Sequence, residues 1–481
     1  MKKQSQEGIT VNKEENFSEW YQQLILKSDL ADYSSVSGAI ILKPSSYLIW
    51  EKIKQACDNE FKKIGVKNAY FPLLIPEKLF EKEQEHLKGF TPEVAWVTQA
   101  GNTKLKEKLA IRPTSEAIMY ESYSKWIRSH RDLPLKMNQW NNVVRWEFNN
   151  PVPFFRTREF LWNEGHSVFA TEKDALLEGP QIRKAYEKVV EGLMALPGIY
   201  GRKTEKEKFA GAVFSEKIHY IIPGGKIIEG PCFHHDGQNF AKSYNIKFLN
   251  KKGKEEYAWQ NTFAISTRML GTMFAVHSDD KGLIIPPKLA ENKIVIVPIL
   301  FEKTKNKVIS TCKKIEKELS VFSPILDLRE DISPGWKYNE WELKGIPIRI
   351  EIGPKDIAKK STIVVKRTDG KKQPTKIKDL KKEIPKLLEK IQKELFNKAK
   401  KILDKNQKKT ENKKELIKYI KEKQMVMVPL CKSKGCEEIL KSETGGAKTL
   451  FIDPKNTSIK AKKCIICKKQ ADYWVNVGKS Y

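Results

Sequence analysis

Two pairs of cysteines set the tightest constraint on this chain. Cys431 and Cys436 are separated by four residues, Cys464 and Cys467 by two, and 27 residues lie between the pairs. Close pairs of this kind can bring four thiolates onto one tetrahedral Zn²⁺, so the C-terminal region must fold in a way that closes one pair on the other. The same pattern also fits reduced free thiols or a degenerated site. A closed site of four cysteines leaves no position for a substrate, so its expected role is to hold the fold. Cys57, Cys232 and Cys312 are scattered, and the odd total of seven argues against a disulfide framework.

A chain of 481 residues has room for about two to four domains. No run of about 18 apolar residues occurs, so no membrane span is expected. The opening MKKQSQEGITVNKEEN is basic without an apolar stretch behind it, which excludes a secretory signal and makes the cytoplasm the expected location. The formal net charge is +29. A Lys-rich composition explains part of it, and a polyanionic partner such as nucleic acid is compatible with it. Only 12 of the 89 basic residues are Arg, and six of those lie between Arg112 and Arg158. Arg is the planar fork suited to phosphate and carboxylate, so that stretch is where an anion is expected to bind.

Residues 17–35 open with an amphipathic stretch, and SGAIILKP reads as a strand with a turn. SSYLIWEKIKQACDNEFKKIG carries Leu48, Ile49, Ile53, Ala56, Phe61 and Ile64 at helical spacing and stops at Gly65, a C-terminal cap. VKNAYFPLLIP reads as one strand closed by prolines. Strands and loops alternate over 140–170, a helix covers 172–196, and strands with turns and a last helix fill 218–248 and 257–276. The Pro-rich, unpatterned GLIIPPKLAENK marks a domain boundary. Beyond it, NKIVIVPIL is continuously apolar, as a buried parallel strand is. The strands and helices that follow predict a βαβ domain of about 100 residues. Residues 377–424 read as a long, highly charged, solvated linker-like helix with a face available to RNA.

The densest chemistry lies in IRPTSE (111–116), VVRWEF (143–148) and PFFRTREFLWNEGH (153–166). Arg145 falls in an alternating strand, and Glu147 points to the same face. A loop with Pro151 and Pro153 leads to Arg156 and Arg158 on the returning strand. Arg and Glu opposed on a hairpin can be no more than a cross-strand ion pair. However, Trp162, Glu164 and His166 alternate on the return strand and Thr114 and Glu116 come shortly before, which suggests a polar pocket with an aromatic wall.

These segments resemble class II aminoacyl-tRNA synthetases. Arg145-x-Glu147 with the loop to Arg156 resembles motif 2. The segment ending at Pro72 resembles motif 1, which packs across a dimer interface, and Ser266-Thr267-Arg268 before MLGTMFAVH resembles motif 3. Within the class, KEEN…WY, RPTSE, RWEF, RTREFLWNEGH, EKFAGA, HHDGQNF and GWKYNEWELKGIP resemble prolyl-tRNA synthetases of the archaeal and eukaryotic-like form, which carries a C-terminal zinc domain. The resemblance implies an α+β chain: an antiparallel-sheet catalytic domain over 1–285, an α/β anticodon-binding domain over 286–390 and a small α/β zinc-binding domain over 391–481. It implies activation of L-proline with ATP, transfer of the prolyl group to the terminal adenosine of tRNA(Pro), a bound Mg²⁺, a structural Zn²⁺ on Cys431, Cys436, Cys464 and Cys467, and a cytoplasmic homodimer. Only 109 residues separate Arg158 from Arg268, so no editing domain of the bacterial type is expected between motifs 2 and 3.

By the same resemblance, Arg145 grips the α-phosphate and the proline carboxylate, and Arg268 the γ-phosphate. Arg156 and Thr157 lie near the adenine, Ser266 belongs to the ATP site, and Glu147 lies near Mg²⁺. Both reactants are anionic, so positioning and charge stabilisation carry most of the chemistry. Thr114 and Glu116 match the pair that receives the proline imino group. Trp162, Glu164, His166, Phe209 and His234 are expected around the ring. Glu351, Lys355 and Arg367 are expected at the anticodon guanines, and the terminal GKSY gives Tyr481 a modest role near the active site.

One segment departs from the family. Many relatives read QGGTSHH where this chain reads EGPCFHH over 229–235, so Glu229 and Cys232 stand at positions where the family contacts ATP with Gln and Thr. A carboxylate there repels a triphosphate unless it is protonated or bridged by a metal. Cys232, His234 and His235 also read as a metal trio of the threonyl-tRNA synthetase kind. The competing readings are a threonyl enzyme and a catalytically inactive, synthetase-like RNA-binding protein. The presence of both Arg145 and Arg268 counts against the second.

Overall fold

In a computed structural model that describes residues 8–79, 93–147, 150–454 and 459–481, the expected N-terminal elements form around a shared core. Residues 1–7 and Phe148, the last residue of VVRWEF, lie outside the described residues. Helix Phe17–Lys27 is capped by Asn16, whose side chain accepts from the Glu19 amide at 3.2 Å, and it buries Trp20, Tyr21, Leu24 and Ile25. Helix Pro44–Lys63 begins on a proline, and Gly65 just past its end sits at φ +82°, a backbone that side chains disfavour. VKNAYFPLLIP does not form the single strand expected. It makes two short strands, Lys67–Asn68 and Leu74–Pro76, in different sheets, because Pro72 between them has no amide to give a ladder.

The frame is an eleven-stranded sheet. Its antiparallel middle places Ile199–Arg202, Phe214–Ile221, Ile227–Gly237, Trp259–Ser266, Glu159–Phe169 and Leu135–Val144 side by side in that order. Successive strand residues face opposite sides. Phe233, Phe263 and Ile265 enter a core shared with helices Glu172–Gly192 and Arg268–His277. The alternate residues therefore line up across the other face, with Cys232 opposite Ala264 opposite Glu164, and His234 opposite Thr262 opposite His166.

A second, mixed sheet follows in the order Ile325–Leu326, Ile294–Pro298, Ile348–Ile352, Ser361–Lys366, Lys372–Lys376. The first three are parallel and the last two antiparallel. Ile294–Pro298 and Ile348–Ile352 are buried throughout, as a continuous apolar run requires.

Residues 377–424 depart most from expectation. They form helices Leu380–Lys405 and Lys413–Lys421 with a strand, Gln407–Lys409, between them. The first helix is no solvated linker. Its Leu380, Ile384, Leu387, Leu388, Ile391 and Leu395 enter the core of the mixed sheet, Ala399 enters the core of the large sheet, and Leu403 packs with Ile221, Ile227, Leu450 and Phe451. The apolar residues recur every three or four positions, a stripe that the intervening lysines mask. The domain boundary expected between residues 390 and 391 falls inside this helix.

Beyond it, strands Met425–Leu430, Tyr473–Gly478 and Lys448–Ile452 extend the large sheet, joined to its middle through the pair Ile452 and Arg202. Gly201 makes that seam possible, because a Cβ there would lie 2.1 Å from the Phe451 ring. Among the described residues, no helix is long and apolar enough to cross a membrane.

Candidate active site

The open face of the antiparallel sheet carries a cavity of about 290 Å³. Thr114, Glu116, Arg145, Trp162, Glu164, His166, Phe209, Glu229, Cys232, His234, Ser266 and Arg268 all line it. Strand parity accounts for the grouping: Trp162, Glu164 and His166 share one face, as do Cys232 and His234.

One group is neutral or acidic. Thr114 donates to Glu116, which opens helix Glu116–Trp126. Beneath them, Glu164 accepts from the Ser115 amide at 3.0 Å, from Gln139 at 3.1 Å and from Asn141 at 2.7 Å. Burial presses the Glu164 pKa upward, but His166, Asn141 and Ser115 pull it below the ordinary value, so the carboxylate stays charged as a scaffold. His166 meets the Tyr120 hydroxyl at 3.0 Å. His234 meets the Ser215 hydroxyl at 2.6 Å and lies 4.9 Å from the Phe209 ring. Burial drops His234 to about 3, so it works as a neutral hydrogen-bonding ring. Asp236, on the strand of His234, is pushed well above the usual carboxylate range by burial and by Glu116.

The other group is cationic. Arg145 donates through Nε to the Pro113 carbonyl at 3.0 Å, and its guanidinium lies 5.3 Å from the Trp162 ring centre. Trp162 is held by Asn141 at 2.7 Å. Arg268 donates to the Phe155 carbonyl at 3.2 Å, and Tyr481 stacks on Phe155 at 4.8 Å. Burial works against the charge of Arg268, Glu229 supports it, and Arg145 and Arg156 oppose it.

Glu229 resolves the expected conflict in a way the sequence reading did not foresee. Protonation or a bridging metal is not needed. Lys203 and Lys217 each donate to its carboxylate at 2.7 Å, and Lys448 stands 3.7 Å away. Burial disfavours the charge of Glu229, but the three lysines hold its carboxyl well below the usual range. None of these lysines stood out in a chain with so many. The available signal was pairing: Lys217 faces Cys232 across neighbouring strands.

Other expected residues fall elsewhere. The strand of Arg145 ends at Val144, although the Arg145 amide still donates to the Arg158 carbonyl at 2.8 Å. Glu147 is therefore not carried along a ladder. It is exposed and outside the cavity lining, as is Arg156. Thr157 is buried and donates to the Glu159 carbonyl at 2.7 Å. Of the six clustered arginines only Arg145 lines the cavity; Arg112 and Arg158 are spent on backbone carbonyls. His235 points away from Cys232 and His234, toward Asn261 at 2.8 Å, so the three do not form a metal trio.

The four clustered cysteines do converge. Their Sγ atoms lie within 4.8 Å of one another, with Cys431 and Cys467 3.8 Å apart. A tetrahedron with Zn–S bonds of ~2.3 Å has S···S edges of about 3.8 Å, so the set fits zinc. In the mixed-sheet module, Lys355 is exposed. Glu351 is buried between Arg349 and Lys372, each at 3.0 Å. Arg367 is buried too, donating to the Glu342 carbonyl within the module and to Asp279 just past helix Arg268–His277.

Comparison with known proteins gives three family matches along the chain. Residues 96–277 match the class II tRNA synthetase core domain (G, H, P, S and T), 293–387 an anticodon-binding domain, and 413–481 the C-terminal domain of prolyl-tRNA synthetase. The cytoplasmic proline–tRNA ligase of Arabidopsis thaliana is 43% identical over 492 residues, covering 100% of this chain and 92% of its own. The proline–tRNA ligase of Cenarchaeum symbiosum is 41% identical over 463 residues, 96% of each chain. The crystal structure of prolyl-tRNA synthetase from Cryptosporidium parvum, complexed with halofuginone and AMPPNP, superposes with a TM-score of 0.93 at 42% identity, over 98% of this chain and 99% of that one.

Proposed function

Because the chain belongs to the prolyl-tRNA synthetases, a class II aminoacyl-tRNA synthetase family, we propose that its cavity is where L-proline and ATP react. The observation that carries this reading is the convergence of two arginines, Arg145 and Arg268, with the Thr114–Glu116 acceptor pair in one cavity. The imino group of proline sits against Thr114 and Glu116, and its ring against Trp162, Phe209, His166 and neutral His234. Its carboxylate points to Arg145, where a carboxylate oxygen attacks the α-phosphorus and pyrophosphate leaves. Arg145 and Arg268 offset the charge that gathers there, in a site preset for it. The hydroxyl of the terminal adenosine of tRNA(Pro) then attacks the prolyl carbonyl, and AMP leaves.

Mg²⁺, when bound, supplies further charge neutralisation on the phosphates, and the exposed Glu147 is the carboxylate offered to it. Arg156, Thr157 and Ser266 are assigned to the nucleotide side. Zn²⁺ on Cys431, Cys436, Cys464 and Cys467 acts as a structural cross-link. On the mixed-sheet module, Lys355 is open to the anticodon, whereas the burial of Glu351 and Arg367 supports a framing role for both. The protein is assigned to the cytoplasm as a homodimer, paired through the segment that ends at Pro72.

The test is amino-acid-dependent ATP–pyrophosphate exchange across the twenty amino acids, without tRNA. Proline should dominate. Exchange with threonine, or with none from folded, zinc-loaded protein, would replace this reading with the threonyl or the inactive one.

A further inference from the structure

Charge around Glu229 does not balance. Lys203 and Lys217 hold its two oxygens at 2.7 Å, and Lys448 lies 3.7 Å from Glu229 and 3.3 Å from Glu207. Arg268 donates to the Glu229 carbonyl at 3.5 Å, and Arg145 opens into the same cavity. Lys203, Lys217, Lys448 and Arg268 therefore share Glu229 and Glu207, whereas the other two carboxylates of the lining, Glu116 and Glu164, are engaged by Thr114, Ser115, Gln139 and Asn141. The pairs at the two Glu229 oxygens are also shielded from water: the Lys203 side chain is 1% exposed, that of Glu229 16% and that of Lys217 23%, against 31% for Lys448. Crowded, desolvated like charges are costly unless an anion joins them. The Glu229 end of the cavity thus has room for one more anion, with several negative oxygens.

Lys217 is the cation best placed to meet it. It lines the cavity with Ser266 and Arg268, whereas Lys203 and Lys448 do not. It sits opposite Cys232 in the strand register, so it projects from the same face as the rest of the lining. An ammonium has three N–H donors, and the hydrogen bond to Glu229 uses one. Lys203 and Lys448 act from behind, steadying Glu229 rather than facing the cavity.

We propose that Lys217 binds the phosphates of ATP in this enzyme and that Glu229 is its positioning residue. This rests on the reading of the cavity as an ATP site. The pair converts two positions into a salt bridge whose free N–H groups face the triphosphate. Glu229 aims the ammonium and limits like-charge repulsion while the site is empty, and the phosphates complete the charge balance when nucleotide enters.

Binding of AMPPNP and of adenosine to the purified protein separates a phosphate contact from general damage. Lys217→Met should weaken AMPPNP about tenfold or more while adenosine binding and the KM for proline stay within about twofold. Lys217→Arg should recover most of the loss. The double variant Lys217→Met/Glu229→Gln, which leaves no unpaired carboxylate at the site, should stay weak for AMPPNP. Unchanged AMPPNP affinity in Lys217→Met, or wild-type affinity in the double variant, would overturn the proposal, because Lys217 would then serve only to neutralise Glu229. Wild-type protein that binds AMPPNP but shows no proline-dependent exchange would defeat the functional reading instead and leave this test intact.

Discussion

Buried charge is organised in opposite ways around the cavity and in the mixed-sheet module. At the cavity, Lys203, Lys217 and Lys448 crowd Glu229, with Arg145 and Arg268 beyond them. In the mixed-sheet module, charges close on one another: Arg349 bridges Glu342 and Glu351 at 3.0 Å each, and Asp327 takes Arg329 at 2.6 Å and Lys337 at 3.4 Å. Asp327 shows the result, since burial raises its pKa but Arg329 and Trp341 pull it below the usual carboxylate range. The first arrangement awaits an anion and the second is complete. In a chain of net charge +29 the number of cations marks nothing, and the local balance does.

The sharpest way to break this comparison is Arg268→Ala. It removes a cation that neighbouring arginines already oppose, so proline-dependent exchange should fall by roughly 10²–10³-fold while the melting temperature holds or rises. A collapse of stability would make Arg268 part of a closed frame. The cysteine cluster is a third case, four thiols suited to one cation. Cys436→Ser should abolish stoichiometric zinc by metal analysis and lower the melting temperature. Since Glu437 beside it accepts from Thr204 at 3.0 Å, next to Lys203, the KM for ATP should rise as well.

Arg367→Ala tests the complete arrangement. Its side chain is 3% exposed and Asp279 is 37% exposed, so the loss should be about 2–3 kcal/mol by denaturant titration, with exchange kept within about threefold. The smallest effect is a pH trend. Burial lowers Lys203 to about 8 from its ordinary 10.5. The unfolded chain therefore binds more protons between those values, and this group makes stability rise with pH across that window. Loss of the same proton removes a positive charge from behind Glu229, leaving its carboxylate less offset at the cavity wall, so the KM for ATP should climb a few-fold between about pH 7 and 9. Both trends should vanish in Lys203→Met.

Strand periodicity made much of the cavity legible. Trp162, Glu164 and His166 sit on a strand whose side chains alternate, so spacing grouped them, whereas Cys232 and His234 were placed by the resemblance of EGPCFHH to the family and share a face for the same alternating reason. The segment after Val144 was not legible, because ladder pairing stops there and alternation no longer says where Glu147 points. The lysines around Glu229 needed the pairing of two strands and a residue from beyond position 440, neither of which local pattern contains. Apolar runs disclosed the parallel core of the mixed sheet, whereas helix Leu380–Lys405 hid its stripe beneath its lysines.

The seam at Gly201 has an evolutionary side. The C-terminal strands are stitched edge to edge onto the catalytic sheet, and the Phe451 ring rests where residue 201 has no side chain. A foreign C-terminal module grafted onto this catalytic half would have to bring a matching ring and strand edge. Any residue larger than glycine at 201 would push it off. Recombination between distant relatives should therefore lose stability when the crossover falls between Gly201 and Phe451 and the incoming ring and strand edge do not match.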